Sequence, residues 1–296
     1  KTEDDADYYC QKPRERYTGR ERDRLELARY MSLGHNYLKA CQDKKSVVHY
    51  YSEALKLSSR LGDQKNKVYA YFGLGNAFRF TGEYETSRKY YLRALALATL
   101  MADKSLQKDA YRSIGNLYYE NGKFNAALEL YLKAHEISFN LGKTGEEVEI
   151  FFLLANTFCQ LRKDEKAIEF FQKVINVGNE LENQDIKTKA VQGLGTLYIR
   201  SASNLMKYCD YEEAIKSYEK ALNVSRTDCG DQSELLQEKA LVGLGVAWFN
   251  LGDAGKAIEW LREARALVQK KPSDAGKYFV QVSINRKTNL FSFLHW

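Results

Sequence analysis

The feature that most constrains this chain is a beat of about forty residues. A small residue follows Leu or Ile at Leu33-Gly34, Leu74-Gly75, Ile114-Gly115, Leu154-Ala155, Leu194-Gly195 and Leu244-Gly245. The small residues step by 41, 40, 40, 40 and 50 positions. A second marker keeps the same phase: Leu61-Gly62-Asp63, Met101-Ala102-Asp103, Leu141-Gly142-Lys143 and Leu181-Glu182-Asn183. Two independent markers in phase describe one structural unit repeated, and such a unit buries its apolar face only against its neighbours.

Each period holds two helical patterns. Tyr111, Ile114, Gly115 and Tyr118 fall at i, i+3, i+4 and i+7, which is one helix face. The turn dipeptide Asn121-Gly122 follows, and Ala127, Tyr131 and Ala134 mark a second helix. Tyr71 to Ala94, Phe151 to Val174 and Leu241 to Ala264 repeat the layout. The period is therefore an antiparallel helix pair, with Gly or Ala where helices approach closely and aromatics beside them.

Aromatic, Leu-Gly, Tyr or Phe, then Ala, aromatic and Ala at fixed offsets resembles the tetratricopeptide repeat (TPR), over about residues 27 to 270. The resemblance implies an all-α, right-handed superhelical solenoid of six antiparallel helix pairs. The boundaries expected are 1–20 as an arm or cap, 21–271 as six repeats (about 27–64, 65–104, 105–144, 145–184, 185–230 and 235–271), and 272–296 as an apolar tail. Two departures from the family pattern stand out. The period exceeds the usual 34, and no repeat carries the usual closing Pro, since the chain has only Pro13 and Pro272. The second helix is thus expected to run a turn further, to the Leu-Gly or Met-Ala marker. This variety is similar to the repeats of the Pins/LGN-type cortical adaptors; kinesin light chains and the Tonsoku family also carry elongated repeats.

The step of 50 marks an interrupted fifth period. Ser201 to Tyr208 adds about seven residues inside the hairpin and reads as a surface insertion; Thr227 to Asp231 adds about three more.

Counting the Gly as position 8, positions 2, 5, 9 and 12 of each first helix share one side. In TPR domains this stripe faces the ligand. Position 9 carries Asn76, Asn116 and Asn156, each with a donor and an acceptor suited to the main chain of an extended peptide. The alternative is that each Asn braces the adjoining helix. Neighbouring positions supply Phe72, Arg112, Phe152 and Gln192, then Asp109, Glu149, Lys189 and Lys239, then Arg79, Glu120 and Arg200. Aromatic, Arg and acid mix at the centre and the C-terminal half is basic, so an acidic or amphipathic peptide with an apolar anchor suits the stripe. The chaperone-type carboxylate clamp needs Lys at position 5, where this chain has Phe or Arg beside its Asn residues.

Composition excludes several classes. Lys and Arg total 45 against 39 Asp and Glu, a net +6 spread along the chain with no dense basic block. Asp109, Glu120 and Glu149 would interrupt a nucleic-acid groove. Ala94 to Ala102, the longest nearly apolar stretch, is half the ~18 residues a membrane span needs. Five scattered cysteines without a CxxC point to reduced thiols and a cytoplasmic setting, with a cortical or cytoskeletal association as the adaptor resemblance implies. The start at Lys1 rather than Met is what a fragment would show. His35, His49, His135 and His295 make no metal pattern, Gly73-Leu74-Gly75 lies inside a repeat, and Cys159 has no implied base. No catalytic residue, metal or cofactor is expected. The reading is a non-enzymatic adaptor that binds a protein or peptide segment. The alternatives are a kinesin-light-chain-like cargo adaptor and a TPR regulator of an enzyme or nucleic-acid complex.

Overall fold

Helix ends in this chain follow one local rule. The helices Lys44–Leu61, Tyr84–Leu100 and Asp164–Glu180 are closed by a residue in the left-handed region at Gly62, Ala102 and Glu182. The next amide then bonds back five residues, Asp63 to the Ser58 carbonyl, Asp103 to Ala98 and Asn183 to Gly178. These bonds satisfy helix-terminal carbonyls in the Schellman manner. The same Asp63, Asp103 and Asn183 then cap the following helix, their side chains accepting from the amides of Asn66, Leu106 and Ile186. The second sequence marker is thus a stop and a start in three residues, and it replaces the missing Pro. Glycine is free to take the positive φ of 71° at position 62, whereas Ala102 and Glu182 adopt 53° against their side chains.

The computed structural model describes residues 19–40, 44–142, 144–227 and 231–269. Among them are twelve α-helices and no strand: α1 Arg20–Lys39, α2 Lys44–Leu61, α3 Gln64–Phe80, α4 Tyr84–Leu100, α5 Lys104–Glu120, α6 Phe124–Leu141, α7 Thr144–Gln160, α8 Asp164–Glu180, α9 Gln184–Lys207, α10 Tyr211–Ser225, α11 Asp231–Leu251 and α12 Ala254–Gln269. The all-α fold of helix pairs holds. Residues 1–18 of the expected arm, residues 228–230 of the second insertion and all of the 272–296 tail lie outside the described residues.

The chain divides into two compact units, Lys1–Ile150 and Phe151–Trp296. In the first, α1 packs on α2, α3 on α4 and α5 on α6, while α2 meets α3 and α4 meets α5. In the second, α9 packs on α10 and α11 on α12, with α8 against α9 and α10 against α11. Phe151 and Phe158 of α7 set their rings 5.8 and 5.5 Å from Phe170 of α8.

One contact recurs through both cores. The aromatic of a second helix packs on a small residue of a first helix, and Tyr51 lies between Gly34 of its own first helix and Gly73 of the next one. A Cβ built on Gly75 would come within 2.4 Å of the Tyr91 ring, and one on Gly73 within 2.3 Å of Tyr51. Gly193 stands in the same relation to Phe171, and Gly243 to Tyr218. Gly73-Leu74-Gly75 is therefore buried helix, shaped by two rings.

The interrupted fifth period differs from its sequence reading. Residues 201–207 form no loop: α9 runs on for 24 residues, where α3, α5 and α7 have 17. Ala202 is fully buried, with Leu205 and Met206 against the same core. Tyr218 makes its polar contact to Ser203, hydroxyl to hydroxyl at 3.3 Å, with the 15-residue separation that joins Tyr91 to Asn76. Ala202-Ser203, not Gly195-Thr196, thus faces Tyr218. The front of α9 serves α8 through Gly193, and its back serves α10 two turns later. Seven residues make this possible, because two helical turns return a side chain to its face within about 20°.

Candidate functional site

The site is built from the face of each first helix. In the first unit, Asn76 on α3 and Asn116 on α5 are half-exposed. The Tyr91 hydroxyl donates to Asn76 Oδ1 at 2.7 Å, and the Tyr131 hydroxyl donates to Asn116 Oδ1 at 2.7 Å. Both Tyr side chains are otherwise buried to the ring. Burial pushes the Tyr91 hydroxyl up to about 12, against a smaller opposite pull from Arg79; burial also raises Tyr131. In the second unit the equivalent second-helix residue is Phe171, which has no hydroxyl. Asn156 instead donates its Nδ2 to the Phe152 carbonyl of its own helix at 3.0 Å.

The two aromatic candidates belong partly to the core. Phe72 lies 6.4 Å from the Tyr91 ring and Phe152 lies 6.1 Å from Phe171, each half-exposed at the edge of its hairpin. They are available as apolar floor rather than as protruding anchors.

The charged candidates are brought together in pairs that sequence reasoning kept apart. Arg79 bonds Glu120, joining α3 to α5, and its guanidinium carbon stacks 4.5 Å from the Phe80 ring. Arg112 bonds Glu149 and lies 3.6 Å from Asp109. Arg200 donates to Asp164 at 2.5 Å and Lys189 to Asp185 at 2.7 Å. The basic C-terminal half expected of the stripe is therefore largely neutralised at Lys189 and Arg200, by acids that lie outside the stripe. Lys239 is exposed on α11, and Gln192 is half-exposed on α9. Sequence reasoning missed Tyr91, Tyr131 and Ser203; counting back fifteen residues from each second-helix aromatic finds them with their partners.

No helix among the described residues is long and apolar enough to cross a membrane, and no three His, Cys, Asp or Glu side chains among them could hold a metal ion. Cys159 is half-buried and burial raises its thiol pKa, the reverse of nucleophile activation.

Sequence models of the tetratricopeptide repeat family match residues 72–140 and 202–275 in one form and 108–180 in another, together more than half of the chain. The chain belongs to the tetratricopeptide repeat family. No curated protein sequence matches it. Among solved structures, this TPR protein is similar to BtubC (BKLC) of P. vanneervenii, at 21% identity and TM-score 0.50, covering 77% of this chain and 92% of that one. It is also similar to a signal transduction ATPase with numerous domains, carrying a tetratricopeptide repeat sensor, from Pyrococcus horikoshii. There the identity is 17% and the TM-score 0.64, over 84% of this chain and 37% of that one. A third is a Rap protein complexed with competence and sporulation factor, at 16% identity and TM-score 0.52, covering 83% and 64%. At these identities the likeness is one of fold.

Proposed function

We propose that this TPR protein is a non-enzymatic scaffold that binds an extended segment of a partner protein on its first-helix faces. The observation that carries the reading is the pair Asn76 and Asn116, held at equivalent points of successive first helices by buried tyrosines and left half-exposed. Main-chain amides of an extended segment are chemically suited to such groups, and Phe72 supplies apolar surface one helical turn before Asn76, as Phe152 does before Asn156. The Rap protein complexed with competence and sporulation factor is a precedent for a similar fold engaged by a factor.

The internal ion pairs bear on partner chemistry. An acidic partner must compete with Glu120 and Glu149 for Arg79 and Arg112. Main-chain and apolar contacts therefore supply affinity, and partner acids act chiefly through Lys239 and by exchange with these pairs. A cytoplasmic setting, near the cortex or cytoskeleton, completes the proposal.

The test is an affinity pull-down with mass-spectrometric identification, comparing the wild type with Asn76→Ala/Asn116→Ala/Asn156→Ala. Circular dichroism verifies that the triple variant folds. Partners retained by the wild type and lost from the folded variant support the proposal; an unchanged set of partners refutes it.

A further inference from the structure

A repeat unit buries its apolar residues against its neighbours, so the row that each second helix turns to solvent should be polar. The rows on α2 and α8 obey this, with Ser52, Lys56 and Ser59 on the one and Gln172, Asn176 and Asn179 on the other. The rows on α4 and α6 break it. Leu92 and Leu132 are each 43% exposed, Leu100 on α4 is 84% exposed and Phe139 on α6 is 73% exposed. The core gains nothing from them, because Tyr91, Ala94 and Ala98 of α4 and Tyr131, Ala134 and Ser138 of α6 already fill it. Both helices pack against α5, and the three-residue turns on either side of α5 reverse the chain twice. The two apolar rows therefore run in the same direction on one side of the first unit.

The charges beside the rows differ in sign. On α4 the exposed Lys89 and Arg93 flank Leu92, while Arg88 is paired with Glu85 at 2.9 Å. On α6 the exposed Glu129 and Glu136 flank Leu132, while Lys133 lies 5.7 Å over the Tyr111 ring. A second copy of the chain can meet this face about a two-fold axis across the helices or along them. The axis across them sets α4 on α4, and Lys89 and Arg93 then oppose their own copies. The axis along them sets α4 of one copy on α6 of the other, and a basic flank meets an acidic flank twice.

We propose that the α4–α6 face is a two-fold interface between copies of this chain, with Leu92 and Leu100 of one copy on Leu132 and Phe139 of the other, and Lys89 and Arg93 facing Glu129 and Glu136. Helices of 17 and 18 residues give the face a length of about 25 Å. That fits the smaller class of specific interface, below about 1,200 Å² in total, so the dimer dissociates on dilution. The interface uses none of the first-helix groups, and a dimer presents that face twice.

Sedimentation velocity of the full chain across a hundredfold range of concentration is the test. The wild type should pass from monomer to dimer. Leu100→Gln/Phe139→Gln should raise the dissociation constant at least tenfold, and circular dichroism melts verify that the variant folds. The charge variants Lys89→Glu/Arg93→Glu and Glu129→Lys/Glu136→Lys each set like charges across both contacts. Each should weaken self-association at least fivefold, and their equimolar mixture should recover the dimer, because opposite signs then meet at both contacts. If the Gln variant does not fold, the charge variants decide. A benzophenone amino acid at Leu132 should join two identical chains, at twice the chain mass, which tells this contact from capture of a different protein. A monomer at every concentration overturns the proposal and assigns the rows to another occupant. A dimer that ignores the Gln substitutions overturns it too, as do charge variants that associate like the wild type or fail to recover on mixing.

Discussion

The α3–α4 hairpin of the first unit and the α9–α10 hairpin of the second solve the same packing problem in different registers. In the former, the small residue, the polar residue and the aromatic are Gly75, Asn76 and Tyr91; in the latter they are Ala202, Ser203 and Tyr218. Both keep the fifteen-residue spacing across the turn. What differs is that α3 uses one stretch to meet both its neighbours, whereas α9 meets α8 through Gly193 and α10 two turns later. The comparison teaches that the helix pair is conserved as a spacing rather than as a motif. A seven-residue extension slides it along the helix without turning the core face away.

The largest effect expected is at alkaline pH, where hairpins built on Tyr and on Phe part company. Burial holds Tyr51 and Tyr91 near 12 in the folded chain against 10.0 when exposed. The unfolded state therefore loses these protons first, so their contribution is complete below pH 10 and declines up to pH 12. For two such groups the slope reaches at most about 2.7 kcal/mol per pH unit. Urea melts at successive pH values measure it, and Tyr51→Phe/Tyr91→Phe should flatten it; an unchanged slope would contradict the assigned burial.

Overpacking tests the two registers directly. Ala202→Leu should cost about 1–3 kcal/mol, because Ala202 is fully buried where the register has slipped. Thr196→Leu, at the exposed position that the Leu194-Gly195 marker would align with Asn76, should stay within about 0.5 kcal/mol. Reversed magnitudes in chemical denaturation would mean that α10 faces Gly195 instead. Tyr91→Phe should cost about 1 kcal/mol through its lost hydrogen bond, and Asn76→Ala should add little to it in a double-mutant cycle. Deleting residues 201–207 tests the spacing itself rather than one side chain. That deletion restores the fifteen-residue spacing with Thr196 opposite Tyr218, and helicity and cooperative melting should survive; loss of the cooperative transition would sink the sliding account.

Much of this architecture was legible in the chain. Leu-Gly markers located the first helices, and Asp63, Asp103 and Asn183 announced the boundaries at which they cap. The slip was not legible, because seven residues preserve helical phase and leave Leu194-Gly195 looking like a normal marker. Of the candidate site, the Asn residues were visible but their orientation was not. That orientation depends on a hydroxyl fifteen residues away. The charge pairs were hidden for a similar reason: Arg79 and Glu120 lie 41 residues apart, and Arg112 and Glu149 lie 37 apart. Each looks available when its position is read alone.

The most direct test of the central claim, that partners bind the first-helix face, is site-specific photo-crosslinking. A benzophenone amino acid placed at Asn116 would report on that face; one placed at Leu132, exposed on α6, would report on the opposite helix of the same pair. The account expects partner crosslinks from position 116 and none above background from 132. Crosslinks from 132 alone would move the binding surface to the second helices and contradict it.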